Sequence, residues 1–247
     1  MAAKLLQTQF NMKENSIRIL STRPIDEALI EKAASHNIEL EAISFIDINK
    51  QVSDETLQQI KQLAKQKVTV VFTSMNAVDI LIHILPDKSN MPDWNIYCMG
   101  GTTFTLVKKY WHYKCISATA KDSAELAQRL LNDNITQVHF FCGNKRREEL
   151  PSLLQNKGIN VNELVIYETI EIPVKISQSY KAIIFFSPSA VHSFFQQNQL
   201  PDATILFAIG NTTAKTIREF CSNEIIISDF PAKNQLVERA IEMMADV

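Results

Sequence analysis

The chain has 247 residues, of which 46% are hydrophobic and 21% charged, and its formal net charge is −2. That is enough apolar content for two ordinary cores, and the balanced charge gives no global reason to bind nucleic acid or a membrane surface. The opening MAAKLLQTQFNMKEN lacks the long apolar core of a signal peptide and no run approaches a membrane span, so a cytoplasmic protein is expected.

Residues up to about 14 read as a polar extension. Residues 17–20 form a short apolar strand ending in Ser21-Thr22-Arg23-Pro24, and a helix follows with Ala28, Leu29, Ala33 and Ala34 at helical spacing. Residues 40–48 are extended and apolar, an outward crossing into a second domain. There, helices are expected over 56–65, 76–84 (ended by Pro86), 102–110, 123–131 and 146–157, alternating with strands over 68–72, 96–99, 114–117 and 137–142. Residues 161–172, VNELVIYETIEI, form the return crossing, and 173–180 a polar connector. Strands over 182–186, 205–208 and 224–227 then alternate with helices over 189–197, 212–220 and 234–244. Short apolar strands alternating with amphipathic helices predict an α/β fold with parallel sheets covered on both faces.

An internal repeat sets the domain count. CMGGTTFTLV, from Cys98, is echoed by AIGNTTAKTI, from Ala208, with Gly100/Gly210, Thr102/Thr212 and Thr103/Thr213 identical. VFTSMNAV, from Val71, resembles IFFSPSAV, from Ile184, and Leu126 matches Leu236. The opening strand and helix from Ile17 match the stretch from Val138, with Glu27/Glu148, Leu29/Leu150 and Ile38/Ile159 identical. These parts read as out of order, one copy running through the middle of the chain and the other split between its ends. The expected organisation is an outer domain of residues 1–38 plus 173–247, an inserted domain of 50–161, and crossing strands at 39–49 and 162–172.

In open parallel sheets, ligands sit outside the carboxyl ends of the strands, where the following helices present their N-termini. The repeated polar residues fall there: Ser74 and Asn76, Gly101, Thr102 and Thr103, Ser187 and Ser189, and Asn211, Thr212 and Thr213. Side-chain oxygens at these positions can cap the helices while spare backbone N–H groups face an anion. Arg23 and the Lys145-Arg146-Arg147 group end strands at the corresponding edge and could bind carboxylates. Tyr167, alone among the apolar residues of the return crossing in carrying a hydroxyl, is the best candidate proton donor. The four cysteines, Cys98, Cys115, Cys142 and Cys221, have no paired spacing and read as buried, reduced thiols. The histidines share no metal-ligand spacing, and no HExxH, GxSxG, P-loop or GxGxxG occurs, so the sequence offers no nucleophile, metal or cofactor.

The ordered set of TRP after the first strand, FTSMNAV, MGGTT, GNKRREELPSLLQNKGINVNELVIYET, FFSPSAV and AIGNTTAKTIRE resembles the uroporphyrinogen-III synthase family over nearly the whole chain beyond about Ser16. The resemblance implies two flavodoxin-like domains with parallel sheets, joined by a two-stranded β-ladder that acts as a hinge, with the site in the cleft. It implies a lyase, acting as a monomer without cofactor, that dehydrates and cyclises hydroxymethylbilane to uroporphyrinogen III with inversion of the last ring. Transient contact with hydroxymethylbilane synthase is a further expectation. The family's tyrosine in a Y-x-T context is matched by Tyr167-Glu168-Thr169, and its threonines by Thr103 and one of Thr212 and Thr213, with Thr213 favoured by the repeat. A non-catalytic two-domain binder of small molecules is the competing expectation, to be separated by turnover.

Overall fold

The computed structural model describes residues 17–50, 52–85, 87–229 and 232–246; the polar extension before Ile17 and the helix-ending Pro86 lie outside them. The chain separates into two compact units, one of Met1–Asp47 with Glu171–Val247 and the other of Ile48–Ile170. It begins in the first unit with β1 (Ile17–Ser21), α1 (Glu27–Ser35) and β2 (Ile38–Ala42). Next come β3 (Ile46–Asn49), α2 (Asp54–Leu63), β4 (Thr69–Phe72), α3 (Met75–Ile84), β5 (Asn95–Met99) and α4 (Thr102–Tyr110). A 3₁₀ turn at Tyr113–Cys115 leads to β6 (Ile116–Ala120), α5 (Ser123–Asn132), β7 (Gln137–Gly143), α6 (Glu149–Asn156) and β8 (Asn160–Glu171). The first unit resumes with β9 (Ala182–Phe185), α7 (Pro188–Phe195), β10 (Ile205–Ala208), α8 (Asn211–Arg218), β11 (Ile225–Ile227) and α9 (Lys233–Ala245).

The first unit holds a five-stranded sheet in the order β11-β10-β9-β1-β2, with every pairing parallel. The six-stranded sheet runs β3-β8-β7-β4-β5-β6, and the pairings from β8 to β6 are parallel. Both faces of each sheet are buried. In the first unit, Ile19, Ile184 and Phe207 pack under α1 and α9, while Leu20, Phe185 and Leu206 pack under α7 and α8. In the second, Phe72, Ile96 and Phe141 meet α2, α3 and α4, while Val71, Tyr97 and Phe140 meet α5 and α6. Such two-sided burial is why the strands read as continuous apolar runs. An aromatic stack of Phe72, Phe141, Trp94 and Trp111 fills the second unit, anchored where Trp94 Nε1 donates to the Leu63 carbonyl at 2.9 Å.

Numbered by place in the sheet, the two units have one order, 2-1-3-4-5, the flavodoxin-like arrangement. Strands one to five are β1, β2, β9, β10 and β11 in the first unit, and β7, β8, β4, β5 and β6 in the second. The repeat read from the sequence is therefore collinear rather than out of order. Ile17 and Val138 start first strands, Val71 and Ile184 lie on third strands, Gly100 and Gly210 follow fourth strands, and Leu126 and Leu236 lie on the last helices. Each half of the sequence supplies all five strands in order, but each sheet takes its first two from one half and its last three from the other.

Local expectations differ from the structure at identifiable points. Residues 39–42 do not cross between units; they complete β2, which pairs in register with β1 and buries Ile38 and Leu40. Residues 113–115 form the 3₁₀ turn rather than the start of a strand. The helix expected from 146 begins at Glu149, because Arg146 N–H closes a turn on the Gly143 carbonyl at 3.1 Å. The basic run therefore stands before the helix, whose first turn carries Glu149.

The cysteines are all unpaired, three buried and Cys221 half-exposed. Burial pushes the Cys98 and Cys142 thiols up to about 12. In the native protein at about pH 8, Ellman's reagent is expected to react promptly with Cys221 and not with Cys98 or Cys142, and denaturation to release all four; prompt native reaction of Cys98 or Cys142 would contradict this packing.

Candidate active site

In each unit the connections leave in opposite directions from strands one and three, β1 and β9 in the first and β7 and β4 in the second. A crevice opens outside the carboxyl ends of strands at such a switch point. In the second unit that edge carries Ser74 after β4, Gly100 and Gly101 after β5, and Gly143, Asn144 and Lys145 where β7 ends. Tyr167, on β8, stands beside Gly143 in the strand register.

Tyr167 is only 8% exposed, and its ring packs with the aliphatic and aromatic core around Phe72, Phe141 and Ile166. Burial, the largest influence, pushes its pKa up, because the phenolate loses hydration there. The Ser74 side chain nearby acts in the opposite sense. Ser74 Oγ also accepts the Asn76 N–H at 3.1 Å as the cap of α3. The backbone is fixed as well: Asn144 N–H donates to the Tyr167 carbonyl at 3.1 Å, and Thr169 N–H donates to Asn144 Oδ1 at 2.9 Å.

The helix starts are of two kinds. Ser74 and Ser187 cap α3 and α7, Ser187 accepting the Ala190 N–H at 3.2 Å, while Asn76 and Ser189 lie half-buried in the first turns. The two Gly-Thr-Thr-type starts carry no side-chain cap, which corrects the expectation that their hydroxyls cap. Gly101 at φ 68° and Gly210 occupy the cap positions of α4 and α8, and the threonines stand inside the first turns. Thr103 and Thr213 are buried, Thr212 is half-buried, and Thr102 and Asn211 are exposed. Such starts present backbone N–H groups at the positive end of the helix dipole.

The basic candidates part company. Arg146 is committed to Glu163 and to Glu148, the latter at 2.6 Å, and these carboxylates raise its already high pKa. It braces the turn after β7 rather than offering charge to a ligand, whereas Lys145 and Arg147 are exposed beside it. In the first unit, exposed Arg23 leaves a turn pinned by Ser21 Oγ donating to the Arg23 carbonyl at 2.6 Å and Thr22 Oγ1 donating to the Ile184 carbonyl at 2.9 Å. Tyr167, Ser74, Asn76, Gly101, Thr102, Thr103 and Lys145 thus belong to the carboxyl edge of the second sheet. Arg23, Ser187, Ser189, Asn211, Thr212 and Thr213 belong to that of the first. Gly143 and Asn144, which hold Tyr167, were not singled out from the sequence; the one signal was a glycine closing an apolar strand in a chain with only 5 glycines.

Among the described residues no group of three or more His, Cys, Asp or Glu is placed to hold a metal ion, and no helix is long and apolar enough to cross a membrane. The fold defines a two-unit, doubly wound α/β protein whose polar groups gather at the carboxyl edges of its sheets. The family model for Uroporphyrinogen-III synthase HemD matches residues 27–238, and the chain belongs to that family. Family membership makes it a lyase of tetrapyrrole biosynthesis. It is 24% identical over 207 residues to the uroporphyrinogen-III synthase of Saccharomyces cerevisiae, covering 70% of this chain and 75% of that protein. It is similar in fold to the crystal structure of uroporphyrinogen-III synthetase from Helicobacter pylori 26695, with TM-score 0.62 and 18% identity over 92% of this chain and 99% of that one. A mutant uroporphyrinogen III synthase from the extremely thermophilic bacterium Thermus thermophilus gives TM-score 0.64 and 14% identity over 94% of this chain and all of that one.

Because burial raises its pKa, Tyr167 remains protonated through neutral pH and loses its proton only above the ordinary tyrosine value of about 10. The ionisation step that disappears in Tyr167→Phe, followed by phenolate absorbance, is expected above that value. Ser74→Ala removes a side chain that favours the phenolate and should move the step higher still; a step at or below about 10 would show the phenol to be solvated.

Proposed function

We propose that the chain converts linear hydroxymethylbilane to uroporphyrinogen III and that Tyr167 is its general acid. The observation that carries the assignment is a buried phenol, held neutral by its surroundings, at the switch-point edge of a parallel sheet. The Tyr167 hydroxyl gives its proton to the hydroxymethyl oxygen of the bilane. The carbon–oxygen bond breaks with its electron pair leaving on water, and the pyrrole nitrogen lone pair stabilises the resulting azafulvenium cation. The substituted α-carbon of the last ring attacks that cation to give a spiro intermediate. Opening and reclosure at the other end of the ring inverts it, and the proton finally lost from carbon restores the pyrrole and reprotonates the phenolate.

The cation is a strong electrophile, so orientation is the main contribution asked of the protein, with proton donation adding roughly 10²–10⁴-fold. The substrate's carboxylates suit backbone N–H groups at the uncapped starts of α4 and α8, with Arg23 and Lys145 as supporting cations. Thr103 and Thr213 shape those starts, Thr102, Asn211 and Thr212 flank them, and Ser187 and Ser189 with Ser74 and Asn76 order the neighbouring helix starts. The chain works in the cytoplasm as a monomer and takes the unstable bilane in transient contact with hydroxymethylbilane synthase.

Isomer analysis of the product formed from freshly generated hydroxymethylbilane tests the reading. Predominant III isomer is expected from the purified chain, whereas only the spontaneously formed I isomer, from folded protein, would overturn it. Tyr167→Phe should slow formation of the III isomer about tenfold or more, and near-normal turnover would remove the tyrosine from the acid role. Single substitutions at Thr103 or Thr213 to Val should be milder, because backbone groups do much of the holding.

A further inference from the structure

Tyr167 and Ser74 belong to strands that are not neighbours. The sheet order is β8-β7-β4, so β7 lies between the strand that carries the phenol and the end of the strand that carries Ser74, whose side chain bears on the phenol. Two strand spacings amount to about 10 Å. The side chains span that distance only if the tyrosine ring lies across the intervening backbone.

The register supplies both requirements for this crossing. Along β7 and β8, Phe141 pairs with Leu164 and Cys142 with Val165, but Gly143 pairs with Tyr167, so Ile166 is an extra residue in β8. Strict alternation would place Leu164 and Ile166 on one face and Val165 and Tyr167 on the other. Burial departs from alternation at this point: Val165 is 45% exposed, whereas Ile166 and Tyr167 are both buried in the cluster that contains Phe72 and Phe141. The bulge turns Tyr167 onto the face of the sheet from which Ser74 can be reached, as an inserted residue does.

Beneath the ring lies Gly143. A Cβ built there would stand 2.5 Å from Tyr167 Cζ and 3.0 Å from Cδ2, with Cε2 also inside contact distance. Glycine is not required by the backbone, since among the described residues left-handed φ values occur only at Asn37, Asn134, Gly101 and Gly158. The requirement comes from the ring.

We infer that Gly143 is a positioning residue for the reaction: by lacking a side chain it lets the Tyr167 ring lie across β7, toward the strand end that carries Ser74. The inference rests on the assignment of Tyr167 as the acid. Asn144 completes the device by fixing the tyrosine's backbone on either side, through the Tyr167 carbonyl and the Thr169 N–H.

Gly143→Ala tests it in the full chain, with 3-fluorotyrosine labelling and ¹⁹F NMR as a readout independent of turnover. The Tyr167 resonance is assigned by its absence from Tyr167→Phe. In Gly143→Ala it is expected to move towards the solvent-exposed tyrosines, while the melting temperature falls by no more than about 5 °C. The value of kcat for the III isomer is expected to fall about tenfold or more with KM changed far less. In a Tyr167→Phe background, adding Gly143→Ala should change kcat by less than about twofold, since both changes remove one function. An unshifted resonance, or losses that multiply in the double variant, would overturn the role of Gly143. A shifted resonance combined with normal turnover of Tyr167→Phe would instead overturn the acid assignment, and with it the catalytic meaning of the crossing. If Gly143→Ala does not fold, Ser74→Ala provides the second arm: loss of the Ser74 hydroxyl should shift the same resonance, and no shift would contradict the crossing.

Discussion

Because the strands of both flavodoxin-like sheets run parallel and helices cover both faces, the interior of each unit is apolar and the strand ends are where polar chemistry can stand. Phe72, Ile96 and Phe141 on one side of the second sheet, and Val71, Tyr97 and Phe140 on the other, leave no solvated face for a substrate. The carboxyl edge differs, because most strands there give way to a helix start with unpaired N–H groups. Ser74 and Ser187 satisfy some of these as caps, at a typical gain of about 1 kcal/mol. Gly101 and Gly210 leave theirs uncapped, at equivalent places after the fourth strand of each sheet. The same architecture thus yields two kinds of helix start, one closed by a side chain and one open to an anion.

The acid role proposed for Tyr167 rests on the same burial that stabilises the core. A phenol in water at neutral pH is already protonated, and packing Tyr167 against Phe72 and Phe141 disfavours the phenolate further. Ser74, the cap of α3, acts on the phenol in the sense opposite to burial. Arg146, expected to offer charge, instead closes the turn beneath this arrangement through Glu163 and Glu148.

The exchange of strands between halves ties the two units into one folding problem. Neither half of the sequence can complete a five-stranded core alone, since strands one and two of each sheet must meet strands three to five from the other half. In the first unit Ile19 pairs with Ala182 across the whole inserted unit. Pairings of such separation carry a large loop-closure cost and slow folding. The collinear repeat suggests how the pattern is maintained: each half keeps the order of a complete five-stranded domain, and the partnering alone is exchanged.

The sequence by itself determined the alternation of strands and helices, the two-copy repeat, and the placing of Ser74, Gly101, Ser187 and Asn211 at helix starts, because apolar periodicity and capping chemistry are local. It also marked Tyr167, the one hydroxyl among the apolar residues of its strand. It misjudged Thr102, Thr103, Thr212 and Thr213 as caps, since whether a threonine or the preceding glycine takes the cap position depends on a backbone turn that composition does not specify. Tertiary structure alone decided which half supplies each strand, because residues 39–42 carry the same alternating pattern whether they cross or pair with β1. It also decided what Gly143 is for: only a register slip of one residue, set by pairing between β7 and β8, brings the Tyr167 ring over it. Glycine's meaning there is the absence of a contact, and an absent contact leaves no pattern along the chain.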